Sequence, residues 1–178
     1  MYTNTLKLNN GVEISQLGLG TWFIDDDKVA DAVKAAVEIG YRHIDTAQAY
    51  GNERGVGEGV RTCGIPREEL FVVSKVAAEH KTYEDAARSI DETLEKMGLD
   101  YLDMMIIHSP QPWVKVNQCD DRYVEGNRAA WRALEDAYKE GKLRAIGVSN
   151  FQIGDLNSLM EACTIKPMVN QILLHISN

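Results

Sequence analysis

Apolar positions along the chain follow two rhythms. Short apolar runs occur at Leu17-Gly-Leu-Gly20, His43-Ile-Asp45, Phe71–Lys75, Leu102–His108, Ala145–Ser149 and Met168–Gln171. Most are apolar on consecutive positions, as parallel strands covered on both faces should be. Between them, apolar residues recur at helical spacing. Val29, Ala32/Val33 and Ala36/Val37 stop at Gly40, Ala86, Ile90, Leu94 and Met97 stop at Gly98, and Trp131, Leu134 and Ala137/Tyr138 end near Gly141. A further helix is predicted over 152–163 with Leu156 and Leu159 inward, and Thr82 with Asp85 resembles a capping box. Leu6–Leu8 and Val12–Ile14 flank Asn9-Asn10-Gly11, the turn chemistry of a hairpin outside the main sheet. Each strand-helix pair takes roughly 25 to 35 residues, the span of a βα unit.

Composition narrows the class. With 178 residues, 44% of them hydrophobic, the chain has the length of one domain over 1–178 with a sizeable core. A formal charge of −8 disfavours nucleic acid and anionic lipid as partners. No apolar run approaches the roughly 18 residues of a membrane span, and Met1–Gly11 lacks a signal pattern. Cys63, Cys119 and Cys163 are odd in number and widely spaced, fitting neither a disulfide framework nor a zinc site, so a cytoplasmic protein without a structural metal is expected.

The candidate chemistry lies where the strands end, which in parallel α/β folds is where ligands bind. Successive strands run into Thr21-Trp22, Asp45 with Tyr50 just beyond, Lys75, His108, Ser149-Asn150 and Asn170-Gln171. Taken singly, Asp45 and Lys75 could be a structural ion pair and His108 could simply bond a carbonyl. Together, Asp45, Tyr50, Lys75 and His108 suit proton donation to a carbonyl oxygen as its carbon accepts a hydride. An ammonium held by Asp45 beside Tyr50 should favour phenolate and make the phenol a better donor. The hydride requires a cofactor, yet Gly51–Gly59 follows the Tyr50 loop as a helix entry and not as a Rossmann or P-loop fingerprint. Ser149, Asn150 and Gln171 could grip a nicotinamide carboxamide or serve as turn and strand-end residues.

The run Gly40-Tyr-Arg-His-Ile-Asp-Thr-Ala-Gln-Ala-Tyr-Gly-Asn-Glu53 and the run Gly141-Lys-Leu-Arg-Ala-Ile-Gly-Val-Ser-Asn-Phe151 resemble the two signatures of the aldo-keto reductases. Leu19-Gly-Thr-Trp22, Ser74-Lys75 and Ile106-Ile-His108 fall in the same order as in that family. The resemblance implies an α/β fold of the TIM type and NADPH-dependent reduction of aldehydes or ketones, with NADH left open. It implies Tyr50 as acid, Asp45 and Lys75 as its tuning pair, and His108 orienting the carbonyl. Thr21 and Asp45 would then lie near the nicotinamide ribose, Ser149, Asn150 and Gln171 at the carboxamide, and Trp22 and Trp113 with Tyr50 and His108 around the substrate. Ser109-Pro110 and Leu173-Leu-His-Ile176 depart from the family's more usual Trp-Pro and Glu-Tyr-His-Pro.

A complete (β/α)₈ barrel takes about 250 residues and eight strands, so an incomplete barrel of about six strands with an N-terminal hairpin is expected. In the family the remaining part carries the aromatic that stacks on nicotinamide and the basic residues that hold the 2′-phosphate. Exposed edges on the first and sixth strands should favour self-association. A non-catalytic assembly fragment and a nucleotide-sensing subunit are the alternative readings.

Overall fold

The computed structural model describes residues 4–176, so the outermost residues of the expected 1–178 domain, 1–3 and 177–178, lie outside the described residues. The antiparallel hairpin pairs β1 (Thr5–Lys7) with β2 (Glu13–Ser15), Leu6 opposite Ile14. The main sheet contains β3 (Leu19–Gly20), β4 (His43–Asp45), β5 (Phe71–Val76), β6 (Met104–Ile107), β7 (Ile146–Ser149) and β8 (Asn170–Gln171). Its spatial order is its chain order, and every pair is parallel. Helices α1 (Val29–Glu38), α2 (Glu53–Thr62), α3 (Tyr83–Met97), α4 (Val124–Lys139) and α5 (Ile153–Met160) fill the connections.

Strand periodicity sorts the side chains into two apolar layers. Ile44, Val72, Val76, Met105, Ile107, Ile146 and Val148 face the helices and join Val33, Ile90, Trp131 and Leu134 in the larger cluster. The alternate positions Phe71, Val73, Met104, Ile106 and Ala145 form the inner layer, where Leu8, Val12 and Ile14 of the hairpin pack against them. The hairpin thus plugs one end of the curled sheet. A cavity of about 840 Å³ between the hairpin and the Leu70–Phe71 strand start lies at this plugged end, away from the strand termini with the candidate residues.

The predicted rhythm matches, with local differences. The last strand is two residues long instead of Met168–Gln171, although Met168 N–H still donates to the Ile146 carbonyl and Val148 N–H to the Val169 carbonyl, and its far side has no strand among the described residues. The last helix is Ile153–Met160 and stops short of Cys163, which instead closes a turn on the Leu159 carbonyl. Thr82 does cap α3, accepting from the Asp85 N–H at 3.1 Å, but its hydroxyl donates to the Asp85 carboxylate. That helix ends as predicted at Gly98, whose φ of 61° suits a residue without Cβ.

Candidate active site

The inner layer continues past the apolar residues into polar ones at the carboxyl end of the sheet. Asp45 is paired with Val73 across β4 and β5, so Lys75, two residues further along β5, rises on the same face one layer higher. His108 follows Ile107, and parity with Met104 and Ile106 turns it inward as well. Tyr50 arrives from a single 3₁₀ turn, Gln48–Tyr50. That turn is pinned by Gln48, whose amide donates to the Ser89 carbonyl and Thr93 hydroxyl while its oxygen accepts from Ala77 N–H.

Lys75 is 1% exposed, and its ammonium donates to Asp45 Oδ1 at 2.5 Å, the Thr46 carbonyl at 2.8 Å and Tyr50 Oη at 3.3 Å. All three N–H bonds are therefore committed, and one of them ends on the phenol oxygen. Asp45 Oδ2 accepts from Gln171 Nε2 at 2.9 Å, tying β8 to β4 across the interior. Burial lowers the Lys75 pKa, opposed by the attraction of Asp45.

Around this pair stand rings. His108 meets Tyr50 edge-on at 5.6 Å between centroids and Trp113 at 4.9 Å, while Trp22 stacks over Tyr50 at 6.2 Å and on Phe23 at 4.3 Å. Burial, reinforced by the Lys75 charge, lowers His108 to about 4, so the imidazole is neutral at neutral pH. Its Nδ1 is buried without a hydrogen-bond partner among the described residues. Burial and then the Asp45 charge push the Tyr50 phenol up to about 12. This reverses the lowering expected from an adjacent ammonium: burial disfavours the phenolate, and Asp45, in contact with that ammonium, offsets its charge.

On the far side, Ser149 Oγ donates to the Gln171 carbonyl at 2.9 Å, and Asn150 Nδ2 donates to the His108 carbonyl and to Ser149 Oγ, both at 3.0 Å. Thr21, fully buried, donates both its N–H and hydroxyl to the Asp45 carbonyl. Asn52 is a buried hub that sequence reasoning left without a role. It donates to the Thr21 and Ile24 carbonyls and accepts from Thr46 Oγ1, joining the β3 loop to the turn that carries Tyr50.

The family model described as Aldo/keto reductase family matches residues 14–178. The chain belongs to the aldo/keto reductase family. It is 46% identical over 173 residues to a glyoxal reductase of Bacillus subtilis (strain 168), covering 97% of this chain and 58% of that relative. An aldo/keto reductase structure from Brucella melitensis superposes with a TM-score of 0.88 at 40% identity, over 97% of this chain and 64% of that one. A Bombyx mori aldo-keto reductase solved in complex with NADP gives 0.83 at 33% identity, over 98% of this chain and 59% of that one. The chain thus spans somewhat more than half the length of these relatives and forms a partial (β/α)₈ barrel.

Within this aldo/keto reductase chain, Asp45, Tyr50, Lys75 and His108 lie together at one rim, with Trp22 and Trp113 against them. Thr21, Ser149, Asn150 and Gln171 lie along the same rim, joined to the four through Asp45 and the His108 carbonyl. The polar groups there suit a carboxamide: the Asn150 and Gln171 side-chain oxygens, which could accept from its N–H groups, carry no bond among the described residues. Asn170 belongs to the scaffold instead, exchanging hydrogen bonds with the Phe151 backbone. Among the described residues no group of three or more His, Cys, Asp or Glu could hold a metal, and no helix is long and apolar enough to cross a membrane.

Proposed function

We propose that the chain carries the catalytic end of an NADPH-dependent reductase of small aldehydes or ketones, α-oxoaldehydes such as glyoxal among them. The observation that carries this reading is the commitment of the Lys75 ammonium to Asp45, Thr46 and the Tyr50 oxygen. Because Tyr50 Oη accepts from Lys75, its own O–H is left to donate to a carbonyl oxygen. A reduced nicotinamide held by Thr21, Asp45, Ser149, Asn150 and Gln171 would supply the hydride to the carbonyl carbon. Tyr50 then gives its proton to the oxygen, forming the alcohol, and the phenolate left behind faces the Lys75 ammonium until solvent restores the proton. Neutral His108 orients the carbonyl without competing as an acid, and Trp22 and Trp113 wall the substrate.

The glyoxal reductase likeness supports the substrate class, and the NADP-bound neighbour supports the cofactor. Three cysteines free of disulfides fit a reducing, cytoplasmic setting. The outer edge of β8 and Ile172, Leu173 and Leu174, 60 to 77% exposed beyond it, support self-association.

The test is NADPH oxidation by this chain with glyoxal, together with NADPH binding followed by tryptophan fluorescence. Tyr50→Phe should abolish turnover while the dissociation constant stays within about twofold, since only the donated proton is lost. Turnover at the wild-type rate in that variant refutes the assignment of the acid.

A further inference from the structure

The 15-residue stretch from Ser109 to Tyr123 carries Trp113 against His108, yet it contains no strand and only one 3₁₀ turn, Trp113–Lys115. A loop of that length and irregularity needs something to hold it. At its centre is Gln111, 1% exposed. Its Nε2 donates to the Cys119 carbonyl at 3.0 Å and the Asp121 carbonyl at 2.7 Å, and its Oε1 accepts from Asn117 N–H at 3.1 Å and Arg122 Nη1 at 2.9 Å. One amide thereby gathers both limbs of the loop.

Three anchors tie the loop outward. Lys81, from the segment between β5 and α3, donates to the Ser109 carbonyl at 3.0 Å and to Asn127 Oδ1 at 2.8 Å, and Asn127 Nδ2 donates to the Pro110 carbonyl at 3.0 Å. Arg122 forms a two-point ion pair with buried Asp155 of α5, its Nε at 2.8 Å from Oδ1. Asp155 also accepts from Gln152 N–H, two residues beyond Asn150, which itself donates to the His108 carbonyl. Trp113 N–H reaches Glu79 Oε1 at 3.2 Å. The polar lattice therefore encloses the wall formed by His108 and Trp113 and joins it to the Ser149-Asn150 side of the rim.

We infer that Gln111 is the positioning residue of the substrate wall: its amide holds the 109–123 loop in the one fold that sets Trp113 against His108, and Lys81 anchors that fold to the sheet. The role in substrate binding rests on the reductase reading, while the positioning itself does not. Asp45, Tyr50 and Lys75 stand on β4, the turn after it and β5 and share no hydrogen bond with Gln111, so loosening the loop leaves the proton donor intact.

The experiment measures acrylamide quenching of Trp113 in a Trp22→Phe background, where the remaining tryptophan, Trp131, is 1% exposed and scarcely quenched. Trp113 is 39% exposed, and Gln111→Ala should raise its quenching constant about twofold with the far-ultraviolet circular dichroism of the parent. Its KM for glyoxal should rise about tenfold with kcat within twofold. An unchanged quenching constant overturns the inference, as does a fall in kcat with KM unchanged. If Gln111→Ala fails to fold, Lys81→Met decides instead, since it cuts the tie to Ser109 and Asn127 with little change of volume. A rise in quenching supports the lattice, and no rise refutes it. Quenching is read without turnover, so a chain inactive with glyoxal would refute the reductase reading alone.

Discussion

The neutral state of His108 ties the site's chemistry to the stability of the fold, and His108→Gln tests it. The imidazole is 7% exposed, faces Tyr50 and Trp113, and titrates at about 4 in the folded chain against 6.5 for the ordinary side chain. Between those values the unfolded chain binds a proton that the folded one does not. Stability therefore rises with pH across this window and is lost as pH falls from 6.5 toward 4. The full difference corresponds to about 3 kcal/mol, of which about 2 kcal/mol is lost by pH 5. Against a typical domain stability of roughly 5 to 15 kcal/mol this is measurable without complete unfolding.

Glutamine fills a similar volume and does not titrate. Urea unfolding of both proteins at pH 7, 6, 5 and 4.5, with the slope m confirmed equal, isolates the His108 contribution. Carboxylate protonation and the lowered pKa of His43 contribute to both proteins and cancel. The wild type should lose about 2 kcal/mol relative to His108→Gln between pH 7 and 5. Parallel pH curves would refute the claim that His108 is held neutral by its surroundings.

Two further perturbations probe the scaffold beneath the site. Lys75→Met leaves the Asp45 carboxylate with Gln171 as its remaining side-chain donor and should cost about 3 to 5 kcal/mol in urea unfolding. Adding Asp45→Asn should recover most of it, and a double variant no more stable than the single one would contradict a buried pair. Gly57→Ala would bring a methyl to 2.1 Å from the Met97 carbonyl oxygen and 2.4 Å from its Cα, where α2 packs on the end of α3. A loss of more than about 2 kcal/mol is expected from such overpacking, read as a lowered Tm, and an unchanged Tm would mean the helices separate freely.

The sheet was legible in the sequence because period-two alternation carries both its layers and its chemistry. Phe71, Val73 and Lys75 share one face, as do Met104, Ile106 and His108, so a strand recognised by its apolar run already aims its last polar residue inward. The short extent of β8 was not legible, because its outer side meets no strand among the described residues, which the apolar content of Met168 and Val169 does not display. In the loop that follows His108, the sequence singled out Trp113 and the pair Ser109-Pro110 and nothing that holds them. The loop's fold is set by Gln111, an isolated polar residue whose importance comes from burial, which a linear pattern does not display. Asn52 lay inside the signature run, yet its role rests on carbonyls brought from Thr21 and Ile24 by the curl of the sheet.

The direction of the Tyr50 pKa bears on how the site would work. A phenol lowered toward neutrality would be partly ionised in the resting state, placing a second anion beside Asp45. With Tyr50 at about 12 and His108 at about 4, both rings are uncharged at neutral pH, and the Lys75–Asp45 pair is the charged contact between them. In the proposed reaction, charge developing on a carbonyl oxygen then meets donors already in place, with no phenolate beside it and the Asp45 charge held by Lys75. The driving force for proton transfer comes from the substrate oxygen becoming strongly basic as the hydride arrives, so a depressed phenol pKa is not required. Lys75 acts on the product side, favouring the phenolate once it forms at the end of a hydrogen bond already made at 3.3 Å. Removing its charge should therefore slow the chemical step more than it weakens binding, the reverse of the split expected when the loop held by Gln111 is loosened.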